Sequence, residues 1–462
     1  GGSNEMSRVV KQLLALFNDK IKIKTYSKIP FVSKTCFENK FAIHVNDYLN
    51  GKMNLSDLNK EFNVIKNELS EDYKNWLLNL NNSLENFEIK ESKELYFTNN
   101  KTSISQLETY FDCPYKYFLR YGLRLKENKD AKISGLDVGL IIHRIVEIFV
   151  DEIDRFTKLN ESEFYAEVEK LTLKTYEEFN VNQKKNKAAL LFVFDEAKRL
   201  CKYILEEQEN SSFKATKNEF EFKNENAIRI NLEDEEICIE GKIDRIDKFQ
   251  NYIRIIDYKT GNISSDFKSI YYGKKIQLIS YLSAVSSEKD SKVAGVFYFP
   301  IHSDYVKNDE KIENNYKMRG FLLDDIDVLK HMDNTISFEN PESEFVQLKI
   351  KTNKDNLKNG LLEINHGNQK CYLSEKDFEK VKTYTENLCK KAIQEIRTGY
   401  IEPSPHIDGN NEKTTACGRC DFAGFCGLQK SKFAEGRRCL DEVGLDSFYE
   451  EIKEGDDGQN DA

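Results

Sequence analysis

The sequence predicts an α/β fold in which a mixed central β-sheet is flanked by helices. Between Phe213 and Pro300, apolar residues recur with a period of two in "FEFK", "EICIEGKIDRID", "YIRIIDYK" and "AGVFYF". A helical segment, "KKIQLISYLSAV", separates the last two of these stretches, and helical periodicity precedes the strands from about Asp137 to Val150 and from Glu161 to Glu207. Strands followed by a helix and a further strand are typical of a mixed α/β layer.

Composition and charge exclude several classes of protein. The chain has 462 residues, of which 39% are hydrophobic and 32% charged, as in a globular protein of two or three modules. Its longest apolar stretch, from Gly139 to Val150, is interrupted by charged residues, so we expect a cytoplasmic protein without a membrane span. The net charge of -10 argues against a wholly basic nucleic-acid binder, although the segment from Lys116 to Lys132 is basic.

Three regions are predicted along the chain. Residues 1–95 form a mostly helical segment of unknown role, and the opening Gly1-Gly2-Ser3 is interpreted as tag-derived. Residues 96–448 carry every motif and are assigned to one domain. Residues 449–462 are predicted to be a disordered acidic tail, because six acids lie between Glu450 and Ala462.

The predicted domain opens with two short helices. Ser105, with Glu108 three residues later, is interpreted as a capping box at the start of the first helix. Pro114 interrupts the apolar pattern directly after Cys113, so we expect one helix to end at Cys113 and another to begin with Pro114. This break would place Cys113 at an exposed corner.

An acid and a lysine stand at the end of an apolar strand in "IIDYKTG", residues 255–261. Side chains two apart in a strand share a face, so Asp257 and Lys259 point the same way. The preceding strand ends in "GKIDRID", and the short turn after it places Asp244 opposite Asp257, at roughly 5 Å between β-carbons. Opposed carboxylates destabilise a sheet unless a cation lies between them, and their oxygens favour Mg²⁺ or Mn²⁺.

These three residues therefore predict a metal site with an ammonium group beside it, an arrangement suited to phosphodiester hydrolysis. The alternative is an ordinary ion pair at the strand end, between Asp257 and either Arg245 or Arg254.

Two helices carry further candidates for this site. His143 lies one turn after Gly139, on a different face from the neighbouring isoleucines, and is a candidate metal ligand. The alternative for His143 is a hydrogen-bonded core residue. Gln277 and Tyr281, four residues apart, share one helix face just after the strands, and their alternative is a surface polar pair.

Clustered cysteines predict a second metal site. Cys417, Cys420 and Cys426 lie within ten residues in "ACGRCDFAGFCG", and such crowding is typical of thiolate ligation. A zinc ion or an iron–sulfur cluster requires a fourth ligand, for which Cys439 is the near candidate and Cys113 the remote one. Spacing favours Cys439, because closing the loop to Cys113 costs on the order of 5 kcal/mol of chain entropy.

Read together, six segments resemble one family. They are "SISQLETYFDCPYKYFLRYGLRLKE", "GLIIH", "GKIDRIDK", "IIDYKTG", "YYGKKIQLISYL" and "ACGRCDFAGFC". In this order and spacing they resemble the RecB-type nucleases of the PD-(D/E)xK superfamily, and within it the AddB type of bacterial helicase–nuclease subunit. The resemblance spans about residues 95–430.

The resemblance implies a role for each candidate residue. His143, Asp244 and Asp257 would be the metal ligands and Lys259 the catalytic lysine, with Gln277 and Tyr281 beside the active site and the DNA. A structural [4Fe-4S] cluster would be held by Cys113, Cys417, Cys420 and Cys426, which overrides the preference for Cys439.

The function implied is Mg²⁺- or Mn²⁺-dependent cleavage of single-stranded DNA, on the 5′-ended strand, in double-strand break repair and recombination. The partner implied is the helicase–nuclease subunit AddA. The chain has no phosphate-binding Gly-x-x-x-x-Gly-Lys-Ser/Thr run, so no ATPase activity is expected from it. The alternatives are a non-catalytic DNA-binding or subunit-docking module and a zinc-stabilised structural protein.

Overall fold

The three-dimensional structure of the chain is a computed structural model. It describes residues 40–45, 53–65, 71, 89–97, 99–125, 135–179, 187–261, 265–285, 291–301, 315–337, 340, 342–347, 350–351, 363–364, 371–408, 416–426 and 438–457. The chain divides into two compact units, one of Gly1–Asn86 with Lys430–Lys432 and the other of Phe87–Gln429 with Phe433–Ala462.

In the first unit, the described helices are a short one at residues 40–45 and α1, Leu55–Ile65. The rings of Phe41 and Phe62 stack between them. Every predicted site residue lies in the second unit.

The helices described in the second unit are α2 (Ser92–Tyr96), α3 (Ile104–Asp112), α4 (Pro114–Tyr117), α5 (Gly135–Asp151), α6 (Ile153–Phe156), α7 (Glu161–Glu178), α8 (Lys187–Glu209), α9 (Phe267–Tyr271), α10 (Gln277–Val285), α11 (Ile326–Met332), α12 (Glu375–Thr398), α13 (Ala423–Cys426) and α14 (Leu445–Asp457). A single π-helical turn, Phe118–Gly122, follows α4 directly. No described helix combines the length and the apolar character that a bilayer span requires.

The described strands are β1 (Lys101–Thr102), β2 (Lys214–Phe222), β3 (Ile228–Asn231), β4 (Glu236–Ile239), β5 (Gly241–Phe249), β6 (Tyr252–Lys259), β7 (Lys292–Pro300), β8 (Arg319–Leu323), β9 (Ile350–Lys351), β10 (Glu363–Ile364), β11 (Tyr372–Leu373), β12 (His406–Asp408) and β13 (Arg438–Leu440). Six of them form the main sheet in the order β11-β8-β7-β6-β5-β2. β6 pairs with β7, and β11 with β8, in parallel, whereas the other neighbours are antiparallel. The predicted mixed α/β architecture is confirmed.

Strand β6 lies at the centre of the sheet because its residues are apolar on both faces, as a doubly covered strand requires. Helices α10 and α12 pack against β7 on one face, and α8 covers the hairpin of β5 and β6 on the other. Smaller sheets, β1-β4-β3 and β12-β13, flank this core.

The β5–β6 hairpin has the predicted register. Phe249 pairs with Tyr252 and Arg245 with Ile256, so the next pair outwards sets Asp244 opposite Asp257. Gln250 adopts the left-handed backbone conformation, with φ of 53°, that a two-residue hairpin turn requires at this position. The turn therefore delivers both carboxylates to the same end of the hairpin.

Helix α3 differs in part from the prediction. Its N-cap is Ser103, whose hydroxyl accepts from the amide of Gln106, and the predicted capping box of Ser105 and Glu108 is wrong. The break is confirmed, because Cys113 ends α3 and Pro114 begins α4. Cys113 is only 8% exposed, so the expectation of an exposed corner is also wrong.

The acidic tail differs from the disordered segment that its charge predicts. Helix α14 continues to Asp457, and Phe448 and Ile452, four residues apart, are both buried. The Phe448 ring packs at 4.9 Å from that of Tyr384 on α12, so an apolar stripe outweighs the charge repulsion here. The last five residues of the predicted tail, 458–462, lie outside the described residues.

Candidate active site

His143 and Asp244 meet at the edge of the main sheet. The apolar face of α5, which includes Ile141 and Ile145, is buried, and His143 points away from it. Its Nε2 lies 3.1 Å from Oδ2 of Asp244, which also accepts a hydrogen bond of 2.7 Å from the amide of Tyr258. A β-carbon at Gly139 would lie 2.5 Å from Thr260, so glycine allows α5 to approach the end of β6.

Glu219 joins this pair, although no sequence motif points to it. Among the described residues, His143, Glu219 and Asp244 form a group in which one ligand atom from each lies within 4.8 Å of the others. Glu219 lies inside β2 with φ of 52°, a left-handed conformation that breaks the alternation of the strand, and it contacts Lys242. No period-two pattern signals such a residue.

Asp257 lies beside this group without belonging to it. Its carboxylate is 1% exposed, forms an ion pair with Lys259 and accepts a hydrogen bond of 3.3 Å from the Tyr281 hydroxyl. Burial raises the pKa of Asp257 to about 6, Lys259 opposes that rise, and the negative charge of Asp244 adds to it. The predicted opposition of two carboxylates is thus present as an electrostatic repulsion.

The Lys259 ammonium is held from two sides. Besides Asp257, its Nζ donates a hydrogen bond of 2.9 Å to Oε1 of Gln277, and it lies 5.6 Å from the ring centre of Tyr298. The side chain remains 29% exposed, so a substrate can reach it. The amide of Gln277 donates in turn to the Tyr281 hydroxyl, which completes a ring of four interacting side chains.

The alternatives considered for these residues do not describe them. Gln277 and Tyr281 are not a surface pair, since Tyr281 is buried and both contact the strand residues. Asp257 pairs with Lys259 and not with Arg245 or Arg254. The structure therefore gathers His143, Asp244, Asp257, Lys259, Gln277 and Tyr281 at one end of the sheet.

Glu108 is a second residue that the sequence motifs do not assign to the site. Its Oε1 accepts hydrogen bonds of 2.9 and 3.1 Å from the amides of Ile276 and Gln277, at the start of α10. Burial raises the pKa of the Glu108 carboxyl to about 7, although these two donors lower it. Its spacing from Ser105 marks it as a helix-capping acid, but the helix that it caps is α10 and not α3.

The two arginines lie on the opposite face of the hairpin, in a closed set of four charges. Arg245, Arg254, Asp247 and Glu207 are each 0% exposed. Arg245 contacts Asp247 at 2.7 Å and Glu207 at 3.0 Å, and Arg254 contacts the same two carboxylates. Two positive and two negative groups thereby join α8 to the hairpin.

The cysteines form a pocket distinct from the sheet end. Cys113, Cys417, Cys420 and Cys426 line it together with Tyr115 and Phe422. Burial is the main reason that the pKa of the Cys113 thiol rises to about 11. Cys439 is exposed on β13 and is not among the lining residues, so the near candidate for the fourth ligand lies elsewhere.

The sequence of this region matches a known family. The family model of the PD-(D/E)XK nuclease superfamily matches residues 101–427, which is most of the chain and contains both candidate sites. The chain belongs to the PD-(D/E)XK nuclease superfamily. The carboxylates of β5 and β6 and the lysine two residues after Asp257 are the residues that this family name describes.

Curated relatives of this PD-(D/E)XK chain are named as one of the subunits of an ATP-dependent helicase/deoxyribonuclease, the subunit also called AddB. The protein from Alkaliphilus metalliredigens is 29% identical over 393 residues, covering 78% of this chain and 33% of that protein. The one from Clostridioides difficile is 29% identical over 382 residues, covering 76% and 32%. The one from Clostridium tetani is 28% identical over 415 residues, covering 81% and 34%.

The chain therefore spans about a third of the length of the curated relatives it matches. The likeness to AddB that the motifs predict is confirmed.

Proposed function

We propose that this chain hydrolyses phosphodiester bonds of DNA with the help of a divalent metal ion, as the nuclease part of a helicase–nuclease subunit. The observation that supports this best is the convergence of two carboxylates, an imidazole and a lysine on one end of the β5–β6 hairpin. Family membership supports the same reaction class.

The donor set fits a hard divalent cation. His143 and Asp244 would hold the ion together with Asp257, and Glu219 lies close enough to contribute an oxygen. Carboxylate oxygens with one imidazole nitrogen suit Mg²⁺ or Mn²⁺. When bound, such an ion polarises a phosphoryl oxygen and lowers the pKa of a water ligand.

The protein's own groups orient the substrate. Lys259 places its ammonium next to the carboxylates, where it attracts a phosphate and stabilises the negative charge that develops on its oxygens. Gln277 and Tyr281 fix the positions of Lys259 and Asp257, so little reorganisation is needed when the substrate binds.

The proposed substrate is single-stranded DNA, on the strand that ends 5′, in the repair and recombination of double-strand breaks. The relatives are named as a subunit of a helicase/deoxyribonuclease, which supports a DNA substrate and a multi-subunit enzyme. We propose AddA as the partner in that enzyme.

Cleavage assays on oligonucleotides test this function. We expect Mg²⁺- or Mn²⁺-dependent cleavage of single-stranded DNA, abolished by EDTA and by Asp244→Asn, with products that distinguish attack on 5′- and 3′-labelled strands. Binding of the DNA without cleavage, in metal-replete protein assembled with its partner, would instead support the docking-module alternative.

We also propose that Cys113, Cys417, Cys420 and Cys426 hold a [4Fe-4S] cluster. All four are lining residues of one pocket, which supports a common ligand. A tetrahedral zinc ion needs thiolates about 3.8 Å apart, since each Zn–S bond is about 2.3 Å. No three of these described thiols lie within 4.8 Å of one another, a spacing that favours a larger cluster over one ion.

Removal of one pocket cysteine is expected to remove the cluster. Cys420→Ala protein purified without oxygen should lack bound iron and sulfide and the broad visible absorption of an iron–sulfur cluster. Its melting temperature should fall, because the pocket joins the α3–α4 corner to the 416–426 loop. Cys439→Ala, outside the pocket, is the control and should keep its iron. Loss of iron in the control with retention in Cys420→Ala would contradict the assignment.

A further inference from the structure

Helix α10 begins without a capping residue of its own. The four residues before it are Gly-Lys-Lys-Ile, none of which offers a side-chain oxygen to the free amides of the first turn. The acceptor comes instead from α3, where Oε1 of Glu108 receives both Ile276 and Gln277. A residue 168 positions earlier in the chain therefore completes this helix.

A second contact joins the same two helices. Phe111, one turn after Glu108 on α3, packs against Gly273, where an added β-carbon would lie 2.3 Å from the ring. Gly273 has φ of +72°, so the turn before α10 requires glycine for both its conformation and this close approach. Glu108 and Phe111 thus hold the start of α10 from one face of α3.

The start of α10 carries the side chains that surround the reacting groups. Gln277 is its first residue and accepts the Lys259 ammonium, and Tyr281, one turn later, donates to Asp257. A shift of this helix start therefore displaces both contacts together. A misplacement of about 1 Å at such a site costs up to about 100-fold in rate.

We propose that Glu108 is a positioning residue of the nuclease site, which fixes the first turn of α10 and so places Gln277 and Tyr281 against Lys259 and Asp257. This inference rests on the proposed nuclease function. Glu108 contacts neither the substrate nor the metal ligands directly, and it acts through Gln277.

Two substitutions separate position from charge. In Glu108→Gln the amide oxygen accepts the same two backbone hydrogen bonds, so we expect kcat within about threefold of wild type. In Glu108→Ala both amides lose their acceptor, and we expect kcat to fall about 10- to 100-fold with little change in KM for single-stranded DNA. Rescue by glutamine and loss with alanine is the pattern that supports positioning.

Glu196 provides a matched control for lost stability. It is a buried carboxylate on α8 that accepts a hydrogen bond of 2.7 Å from Tyr316, away from the active site. Glu196→Ala should lower the melting temperature and leave kcat and KM unchanged. Equal losses of kcat in Glu108→Ala and Glu196→Ala, at matched stability, would show a purely structural effect and overturn the proposal.

A double-mutant cycle tests the route through Gln277. If Glu108 acts through Gln277, the kcat of Glu108→Ala combined with Gln277→Ala should be no lower than that of the more damaging single variant. Multiplicative losses would overturn the proposal.

Hydrogen exchange supplies a readout that does not depend on cleavage. The amides of Ile276 and Gln277 should exchange at least about 10-fold faster in Glu108→Ala, and at the wild-type rate in Glu108→Gln. If wild-type protein cleaves no DNA, the proposed function fails, and unchanged exchange in Glu108→Ala overturns the present inference separately. Active wild-type protein with an equally active Glu108→Ala variant overturns the inference alone.

Discussion

Lys259→Ala is expected to lower kcat for DNA cleavage by about 10²- to 10³-fold, or roughly 3–4 kcal/mol of transition-state stabilisation. The ammonium is held by Asp257 and Gln277 on the face of the hairpin that carries the carboxylates, with no other described cation in that ring of contacts. Because negative charge grows on the phosphoryl oxygens in the transition state, its loss should affect kcat more than KM.

Single-turnover cleavage of labelled single-stranded DNA at saturating metal measures this effect. Lys292→Ala is the matched control, because Lys292 lies at the opposite end of the same sheet in an exposed ion pair of 2.7 Å with Glu375. Such a surface pair contributes about 0–1 kcal/mol to stability, and the control should cleave normally. Full activity in Lys259→Ala would remove the lysine from the mechanism.

Arg245→Ala is expected to lower the free energy of unfolding by about 3–5 kcal/mol. The substitution leaves the carboxylates of Asp247 and Glu207 facing a single guanidinium, that of Arg254, in a region with 0% exposure. An uncompensated charge at such a site is more costly than the loss of the ion pair itself.

Urea unfolding followed by circular dichroism measures the change in stability. Arg155→Ala serves as the control, because Arg155 is half exposed and pairs with Glu152 on the surface, so its loss should cost less than about 1 kcal/mol. A similarly small cost for Arg245→Ala would mean that water reaches the four charges.

Much of the site was predictable because it depends on short-range geometry. The positions of Asp244, Asp257 and Lys259 follow from strand alternation and a two-residue turn, both of which the structure reproduces. The spacing of Gln277 and Tyr281 follows in the same way from the helical repeat. These rules act over a few residues, so one sequence is enough to apply them.

The rest depends on contacts between distant segments. Glu219 reaches the site through a left-handed residue inside a strand, and Glu108 through a helix start 168 residues away, and neither leaves a periodic signal. Chain entropy favoured Cys439 over Cys113, whereas packing brings Cys113 to the other three cysteines. Similarly, alternation shows that Arg245 and Arg254 share a strand face but not that α8 covers it.

The cysteine pocket also constrains the order of events during protein synthesis. Its first wall contains Cys113, and its last cysteine, Cys426, leaves the ribosome about 310 residues later. At about 5–20 residues per second, this interval lasts roughly 15–60 s. Throughout that time the nascent chain exposes an incomplete site, so a donor that delivers a preassembled inorganic group must act after translation of the sheet, and premature termination before Cys426 leaves a product that cannot mature.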